Sequence, residues 1–146
     1  MSLESIQAAI PHREPFLLVD EIVEQSDKRI VCRKRFTGDE FWYRGHYPDF
    51  PLTPGVLLVE AGMQAGAVLL AQYAAESPRG VPVATRINNV KFRHMVRPGD
   101  AIEMQVELVE RMGDAFFLKA TVTVGDRAAT TFDFACKMAV PREDKD

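Results

Sequence analysis

A glutamate, Glu60, lies in the middle of an otherwise apolar stretch at 56–71. Burying a charged carboxylate is costly, so a glutamate in such a place is paired, turned to the surface or functional. Gln64 follows one helical turn later on the same face, within reach of the carboxyl group. A carboxyl group oriented in this way can act as a general acid.

A histidine is the second candidate for chemistry. His46 follows Gly45 and stands at the start of a proline-rich segment that leads directly into the Glu60 stretch. Imidazole is the natural side chain to accept a weakly acidic proton near neutral pH. By itself a single histidine is equally compatible with a structural role, so both interpretations stay open at this point.

The backbone of Gly55 is the third candidate. We expect Gly55 at the second position of a helix, where a backbone N–H has no partner within the helix. A glycine also lets a ligand approach the backbone closely. This N–H, at the positive end of the helix dipole, could bind a carbonyl oxygen on which negative charge develops.

Hydrophobic patterns predict the elements that must position these groups. The stretch 56–71 is apolar on nearly all sides and predicts a buried central helix, with Thr53 as N-cap and Pro54 at the first helical position. We expect a short helix at 3–10 and an extended wrap, without helix, at 41–54. Strands are expected at 16–23, 29–37, 85–92, 102–108, 116–124 and 131–138, with a tight turn at Gly125-Asp126. The natural solution is α+β: a curved antiparallel sheet wrapped around one long buried helix, the hotdog fold.

Composition limits the classes of protein to consider. The length of 146 residues predicts a single domain, 1–146, with an N-terminal segment at 1–10 and a charged tail at 141–146. A net charge of -3 argues against a nucleic-acid partner, and the apolar stretch is too short to predict membrane insertion. No cofactor or metal motif is present, and His12 and His94 are expected to be structural. The N-terminus lacks the pattern of a signal peptide, and Cys32 and Cys136 suit buried thiols, so we expect a cytoplasmic protein.

Several blocks of sequence, taken together in order, resemble one enzyme family. They are Pro11-His12-Arg13-Glu14-Pro15-Phe16-Leu17-Leu18-Val19-Asp20, Gly45-His46-Tyr47-Pro48, Pro51-Leu52-Thr53-Pro54-Gly55-Val56-Leu57, Glu60-Ala61 with Gln64, Asn89-Val90-Lys91-Phe92-Arg93 and Val96-Arg97-Pro98-Gly99-Asp100. This combination resembles the 3-hydroxyacyl-[acyl-carrier-protein] dehydratases of bacterial fatty-acid synthesis, of the FabZ type. The resemblance covers 10–138, and any single block would be weak.

The resemblance implies a role for each candidate. His46 would remove the α-proton of a 3-hydroxyacyl thioester, and Glu60 would protonate the departing β-hydroxyl group. Gly55 would polarise the thioester carbonyl, and Gln64 would orient Glu60. Tyr47, Phe50 and Val56 would line the substrate site. Glutamate at position 60 favours a dehydratase over the sister family, which also isomerises the double bond and usually has aspartate there.

The resemblance also implies partners. The substrate would be an acyl chain linked through phosphopantetheine to acyl carrier protein, without a cofactor. Its acidic carrier would be received by basic residues near the tunnel mouth, for which the candidates are Arg86, Lys91, Arg93 and Arg97. Family members are homodimers, often assembled into hexamers as trimers of dimers, and each site would take His46 from one subunit and Glu60 from the other.

This chain departs from the family pattern after the histidine. The family usually has Phe followed by Pro-Gly, whereas this chain has Tyr47-Pro48-Asp49-Phe50. The change is expected to alter the loop and the acyl tunnel. Two alternatives stay open: a hotdog thioesterase that uses Glu60 to activate water without His46, and an acyl-binding protein without catalysis, which would be expected to have lost His46 or Glu60.

Overall fold

A computed structural model describes residues 2–140, so the predicted charged tail at 141–146 lies outside the described residues. The helices are α1 (Leu3–Ala9) and α2 (Gly55–Leu70), with short 3-10 helices at Phe41–Arg44 and Ala71–Glu76. The strands are β1 (Glu21–Gln25), β2 (Arg29–Arg35), β3 (Val81–Phe92), β4 (Ala101–Met112), β5 (Ala115–Val124) and β6 (Arg127–Ala139). All strand pairs are antiparallel, in the order β1-β2-β4-β5-β6-β3.

The sheet curves around α2. This helix packs against β2, β3, β4, β5 and β6, and strands so far apart in one sheet can meet a single helix only if the sheet bends around it. Two glycines in α2 let the sheet pack close to the helix. A Cβ atom at Gly62 would lie 2.8 Å from the ring of Phe132, and one at Gly66 would lie 2.7 Å from the ring of Phe134. The predicted α+β hotdog fold is confirmed.

The alternating strands follow the predicted pattern. In β4 the side chains of Ile102, Met104 and Val106 are buried, while the residues between them are partly exposed. The β5–β6 hairpin turns at Gly125, whose φ of 60° lies in the left-handed region that glycine enters at little cost. Local periodicity therefore placed these strands correctly.

The first predicted strand was placed too early. β1 begins at Glu21, although the preceding residues Leu17, Leu18 and Val19 are buried. The backbone N–H of Leu18 donates to the side chain of Gln64 at 2.7 Å instead of to a neighbouring strand, and the first backbone bond to β2 is that of Asp20 to Arg33 at 2.8 Å. The prediction for β3 was too short, because that strand begins at Val81.

Two predictions around the start of α2 were wrong. The segment expected to be extended contains the 3-10 helix Phe41–Arg44, which ends before the first of its prolines. Thr53 is not the N-cap: its hydroxyl group bonds to the Tyr43 hydroxyl at 2.6 Å, and Pro54 occupies the cap position. Gly55 is consequently the first helical residue rather than the second.

Among the described residues, one helical segment is long and apolar enough to cross a membrane. It runs over the 22 residues of Gly55–Glu76. Most of its apolar part is buried inside the protein.

Candidate active site

Glu60 projects from the middle of α2 into a small cavity of about 90 Å³. Its side chain is 23% exposed in the isolated chain. The Gln64 amide donates a hydrogen bond of 3.0 Å to Glu60 Oε2, as the spacing of four residues along a helix predicted. A side chain of the same helix therefore orients the Glu60 carboxyl group.

Gln64 links this carboxyl group to the N-terminal segment. Its side chain is fully buried and makes three hydrogen bonds. Oε1 accepts from the Leu18 N–H, while Nε2 donates to the Phe16 carbonyl at 2.8 Å and to Glu60. Since a backbone N–H can pair only with the oxygen, these partners determine which way the amide points. Gln64 thus holds Glu60 in one orientation.

His46 lies at the start of the loop that leads into α2, and hydrogen bonds fix its position. Its Nδ1 lies 3.0 Å from the carbonyl oxygen of Leu52, and its backbone N–H donates to the carbonyl of Trp42 at 2.9 Å. The ring of Tyr47 stacks on the imidazole with centroids 4.4 Å apart, and the peptide bond between the two residues is cis. A carbonyl oxygen can only accept, so in the neutral imidazole Nδ1 carries the proton and Nε2 keeps its lone pair. That is the tautomer a general base requires.

Gly55 and Val56 lie beside a larger cavity of about 420 Å³ at the N-terminus of α2. The Gly55 N–H has no hydrogen-bond partner within residues 2–140, in agreement with its position as the first helical residue. The ring of Phe92 packs over this glycine, where a Cβ atom would lie 2.6 Å from the ring. Val56 is 69% exposed next to it. An unpaired N–H at a helix N-terminus can stabilise developing negative charge on an oxygen.

The candidate residues fall into separate groups within one chain. The Glu60 cavity is lined by Gln64, Ala67, Met63, His12, Pro82, Ala84 and Cys136, and His46 is not among its lining residues. His46 does not line the cavity at Gly55 either. One described chain therefore brings Glu60 and Gln64 together but does not bring His46 to them.

Phe50 and Tyr47 lie on the outside of the isolated chain. Phe50 is 44% exposed and Tyr47 is 53% exposed, and neither lines the two cavities described above. The guanidinium group of Arg97 lies 5.0 Å from the centre of the Phe50 ring. In the isolated chain Phe50 therefore contacts a cation at the surface, and its expected place in a tunnel wall stays a prediction.

The four basic candidates do not form one cluster. Arg93 lines the cavity at Gly55, and Arg97 lies over Phe50. Arg86 and Lys91 line two shallow grooves alongside Lys119, on the outer face of the sheet. Of the four, Arg93 is the one at the mouth of a cavity that also contains a candidate binding group.

Sequence reasoning missed the position of His12. It was expected to be structural, yet its Nε2 lies 3.8 Å from Glu60 Oε2. Spacing could not reveal this contact, because 48 residues separate the two along the chain. Cys136 lines the same cavity, and burial raises its pKa to about 11, so its thiol stays protonated near neutral pH. Over residues 2–140, the structure contains no group of three or more His, Cys, Asp or Glu side chains able to hold a metal ion.

Known proteins resemble this chain over most of its length. A family model described as the FabA-like domain matches residues 10–133. A 3-hydroxyacyl-[acyl-carrier-protein] dehydratase FabZ of Clostridium perfringens is 40% identical over 129 residues, covering 88% of this chain and 92% of the relative. Another dehydratase of this name, from Geobacillus thermodenitrificans, is 42% identical over 126 residues, covering 85% and 86%.

Solved structures match the fold at low sequence identity. The Dehydratase Heterocomplex ApeI:P from Xenorhabdus doucetiae superposes with a TM-score of 0.78 at 15% identity, over 92% of this chain and 90% of that one. A hypothetical thioesterase from Streptococcus pneumoniae superposes with a TM-score of 0.63 at 14% identity, over 84% and 88%. At such identities the two likenesses concern the fold alone.

Proposed function

This chain belongs to the FabA-like family, and we propose that it dehydrates 3-hydroxyacyl thioesters on acyl carrier protein to trans-2-enoyl thioesters in fatty-acid synthesis, with His46 as base and Glu60 as acid. The observation that carries the proposal is the hydrogen bond of His46 Nδ1 to the Leu52 carbonyl, which leaves Nε2 free as a base. The relatives that cover most of this chain are dehydratases, whereas the thioesterase likeness is one of fold alone.

The reaction needs one proton removed and one delivered. His46 Nε2 takes the α-proton, and the electron pair of that C–H bond forms the new double bond. The C–O bond at the β-carbon breaks, and the hydroxyl group takes the proton of the Glu60 carboxyl group and leaves as water. The Gly55 N–H stabilises the charge that builds on the thioester oxygen. Proton exchange with solvent then restores His46 and Glu60, and no oxidation or reduction occurs.

A homodimer accounts for the separation of His46 from Glu60. β3 is a strand of 12 residues at the edge of the sheet, and within the described residues no other strand pairs with its outer edge. It exposes the apolar side chains of Val83, Ile87, Val90 and Phe92. A long edge strand with exposed apolar side chains can pair with a second copy, and such pairing would continue the sheet.

The same edge strand borders both cavities. Phe92 lines the cavity at Gly55, and Pro82 and Ala84 line the cavity at Glu60. A second copy paired along β3 would lie next to both cavities, and in this proposal its His46 serves the Glu60 of its partner. Assembly of dimers into hexamers belongs to the same proposal, as does a cytoplasmic location, which suits the two free buried thiols Cys32 and Cys136.

Acyl carrier protein is the macromolecular partner in this proposal. We assign its first contact to Arg93, since this side chain lies at the mouth of the cavity that contains the Gly55 N–H. Arg97, and farther along the sheet Arg86 and Lys91, add separate positive charges, which would raise the rate at which an acidic carrier associates.

The test is an assay with two separate readouts. The protein is mixed with 3-hydroxybutyryl-ACP and with longer 3-hydroxyacyl-ACP, and the enoyl product and the free thiol are measured in parallel. A dehydratase forms enoyl product without free thiol. Release of thiol instead would establish a thioesterase, and no turnover of either kind would favour a binding protein.

Two substitutions connect the activity to the residues. His46→Ala and Glu60→Gln should each remove most of the dehydration with the fold intact, because both groups act on the transition state. Glu110→Gln, in an exposed part of β4, is the matched control for the loss of a carboxylate. Turnover near the wild-type rate in either of the first two variants would contradict the assignment.

A further inference from the structure

The Glu60 cavity contains an imidazole that the dehydration mechanism does not use. His12 Nε2 lies 3.8 Å from Glu60 Oε2, and both side chains line the same cavity of about 90 Å³. The other titratable group in its lining is Cys136 from β6, whose thiol stays protonated because burial raises its pKa to about 11. β3 contributes the uncharged Pro82 and Ala84. Within the described chain, the side chains of this cavity that can offer a nitrogen donor to Glu60 are therefore Gln64 and His12.

The backbone around His12 is held from both sides. The guanidinium group of Arg13 donates to the carbonyl oxygens of His12 at 2.7 Å, of Ile10 at 2.8 Å and of Gln7 at 2.9 Å. These bonds connect the segment to the end of α1. Farther along, Gln64 fixes the Phe16 carbonyl and the Leu18 N–H. Gln64 also donates a hydrogen bond to Glu60. The same glutamine side chain therefore holds both the Glu60 carboxyl group and the segment that contains His12.

The surroundings of the ring favour one tautomer. His12 Nδ1 is buried and has no hydrogen-bond partner among residues 2–140. In the neutral ring, a proton on Nδ1 would be a buried N–H without an acceptor, which costs more than leaving a lone pair there. Nε2 instead faces a carboxyl oxygen that can accept. The neutral ring with its proton on Nε2 fits this environment best.

Glu60 Oε2 is consequently faced by two donors from its own chain. Gln64 Nε2 lies at 3.0 Å and His12 Nε2 at 3.8 Å. The second distance is longer than a hydrogen bond, and catalytic contacts that are long without substrate commonly shorten when it binds. A protonated carboxyl group has one oxygen that donates and one that accepts. Donors at Oε2 assign it the accepting role and leave the proton to Oε1.

We propose that His12 is a positioning residue: together with Gln64 it fixes Oε2 as the accepting oxygen, so that Oε1 presents the proton to the departing β-hydroxyl group. The inference rests on the proposed role of Glu60 as the acid. In this inference, the N-terminal segment that contains His12 determines which oxygen of the Glu60 carboxyl group donates the proton, although the segment is far from Glu60 in sequence.

The test compares two replacements of His12. His12→Gln keeps an N–H donor at about the reach of Nε2, whereas His12→Phe keeps a ring of similar size and loses both nitrogens. We expect His12→Phe to lower kcat by about tenfold to a hundredfold, because a misplaced acid is costly even when substrate binds normally. KM should change by less than about twofold, since the contact concerns the transition state. His12→Gln should retain most of the wild-type kcat.

A role in packing alone predicts the opposite order. The phenyl ring fills the space of imidazole better than a glutamine side chain, so packing would favour His12→Phe. A wild-type kcat in His12→Phe, or a higher kcat in His12→Phe than in His12→Gln, would overturn the proposal. If His12→Phe does not fold, as judged by thermal unfolding, His12→Met takes its place as an apolar side chain without a donor.

A third variant separates this inference from the proposed function. Glu60→Gln is measured in the same assay, alone and combined with His12→Phe. The double variant should be no slower than Glu60→Gln, because His12 acts through a carboxyl group that is no longer present. A further loss in the double variant would show that His12 acts elsewhere. An inactive Glu60→Gln beside a fully active His12→Phe would refute only this inference, while an active Glu60→Gln would refute the acid assignment and the inference with it.

Discussion

A mixture of two inactive variants tests whether each site is built from two subunits. The variants are His46→Ala and Glu60→Gln, each of which would leave the proposed homodimer with two incomplete sites. In a heterodimer of these chains, one site receives the native His46 and the native Glu60 from opposite subunits, and the other site receives neither. The structure motivates the test because His46 does not line the cavity into which Glu60 projects.

The two-fold symmetry of the proposed dimer gives the fraction of activity that should return. Random exchange of equal amounts makes about half of all dimers heterodimers, each with one intact site of two, so about a quarter of the wild-type activity should return. Purified heterodimer should have about half of the wild-type activity per dimer for the same reason. If both residues acted within one chain, every site in the mixture would lack one of them, and no activity would return.

The assay needs proof that subunits have exchanged. The two variants carry different affinity tags, are unfolded and refolded together, and the species that binds both resins is isolated. Formation of enoyl product from 3-hydroxyacyl-ACP is then measured on that species. Two differently tagged copies of His46→Ala, treated identically, are the control and should stay inactive. An isolated heterodimer without activity would refute the shared site.

Three further predictions concern the interface, the loop and the buried thiol. Ile87→Lys, on the free edge of the sheet, should dissociate the proposed dimer in light scattering, because it places a charge where a second copy would pack. Val109→Lys, at another exposed apolar position on β4, should not dissociate it. Equal behaviour of the two variants would locate the interface elsewhere. Phe50→Gly should change the acyl-length profile of kcat/KM more than the rate on the shortest substrate, since each methylene that fits contributes about 0.8 kcal/mol; a uniform loss at every length would mean that Phe50 only holds its loop. Cys136, whose pKa burial raises from 9.0 to about 11, should have about a hundredfold less thiolate at pH 8 than in the unfolded chain. Site-resolved mass spectrometry after iodoacetamide should therefore find it labelled much more slowly in the folded protein, and equal rates would contradict the burial.

Local pattern determined the central helix and most of the sheet. Alternation in β4 predicted which side chains face the helix, because successive residues of a strand point to opposite faces. The contact between Gln64 and Glu60 followed in the same way, since residues four apart meet on one helical face. The order of motifs around His46 and Gly55 indicated the family, and the match over residues 10–133 confirmed it.

Only the tertiary structure determined which distant residues these elements contact. The N–H of Leu18 found its partner in Gln64 rather than in a strand, which is why β1 begins later than its apolar residues predicted. Thr53 does not cap α2, because its hydroxyl group bonds to the hydroxyl group of Tyr43, ten residues away. His12 came to lie against Glu60 although nothing in their spacing connects them. Sequence periodicity specifies which face of an element is apolar, but hydrogen-bond partners are chosen among all groups that the folded chain brings within about 3 Å, and that selection depends on the packing of distant segments.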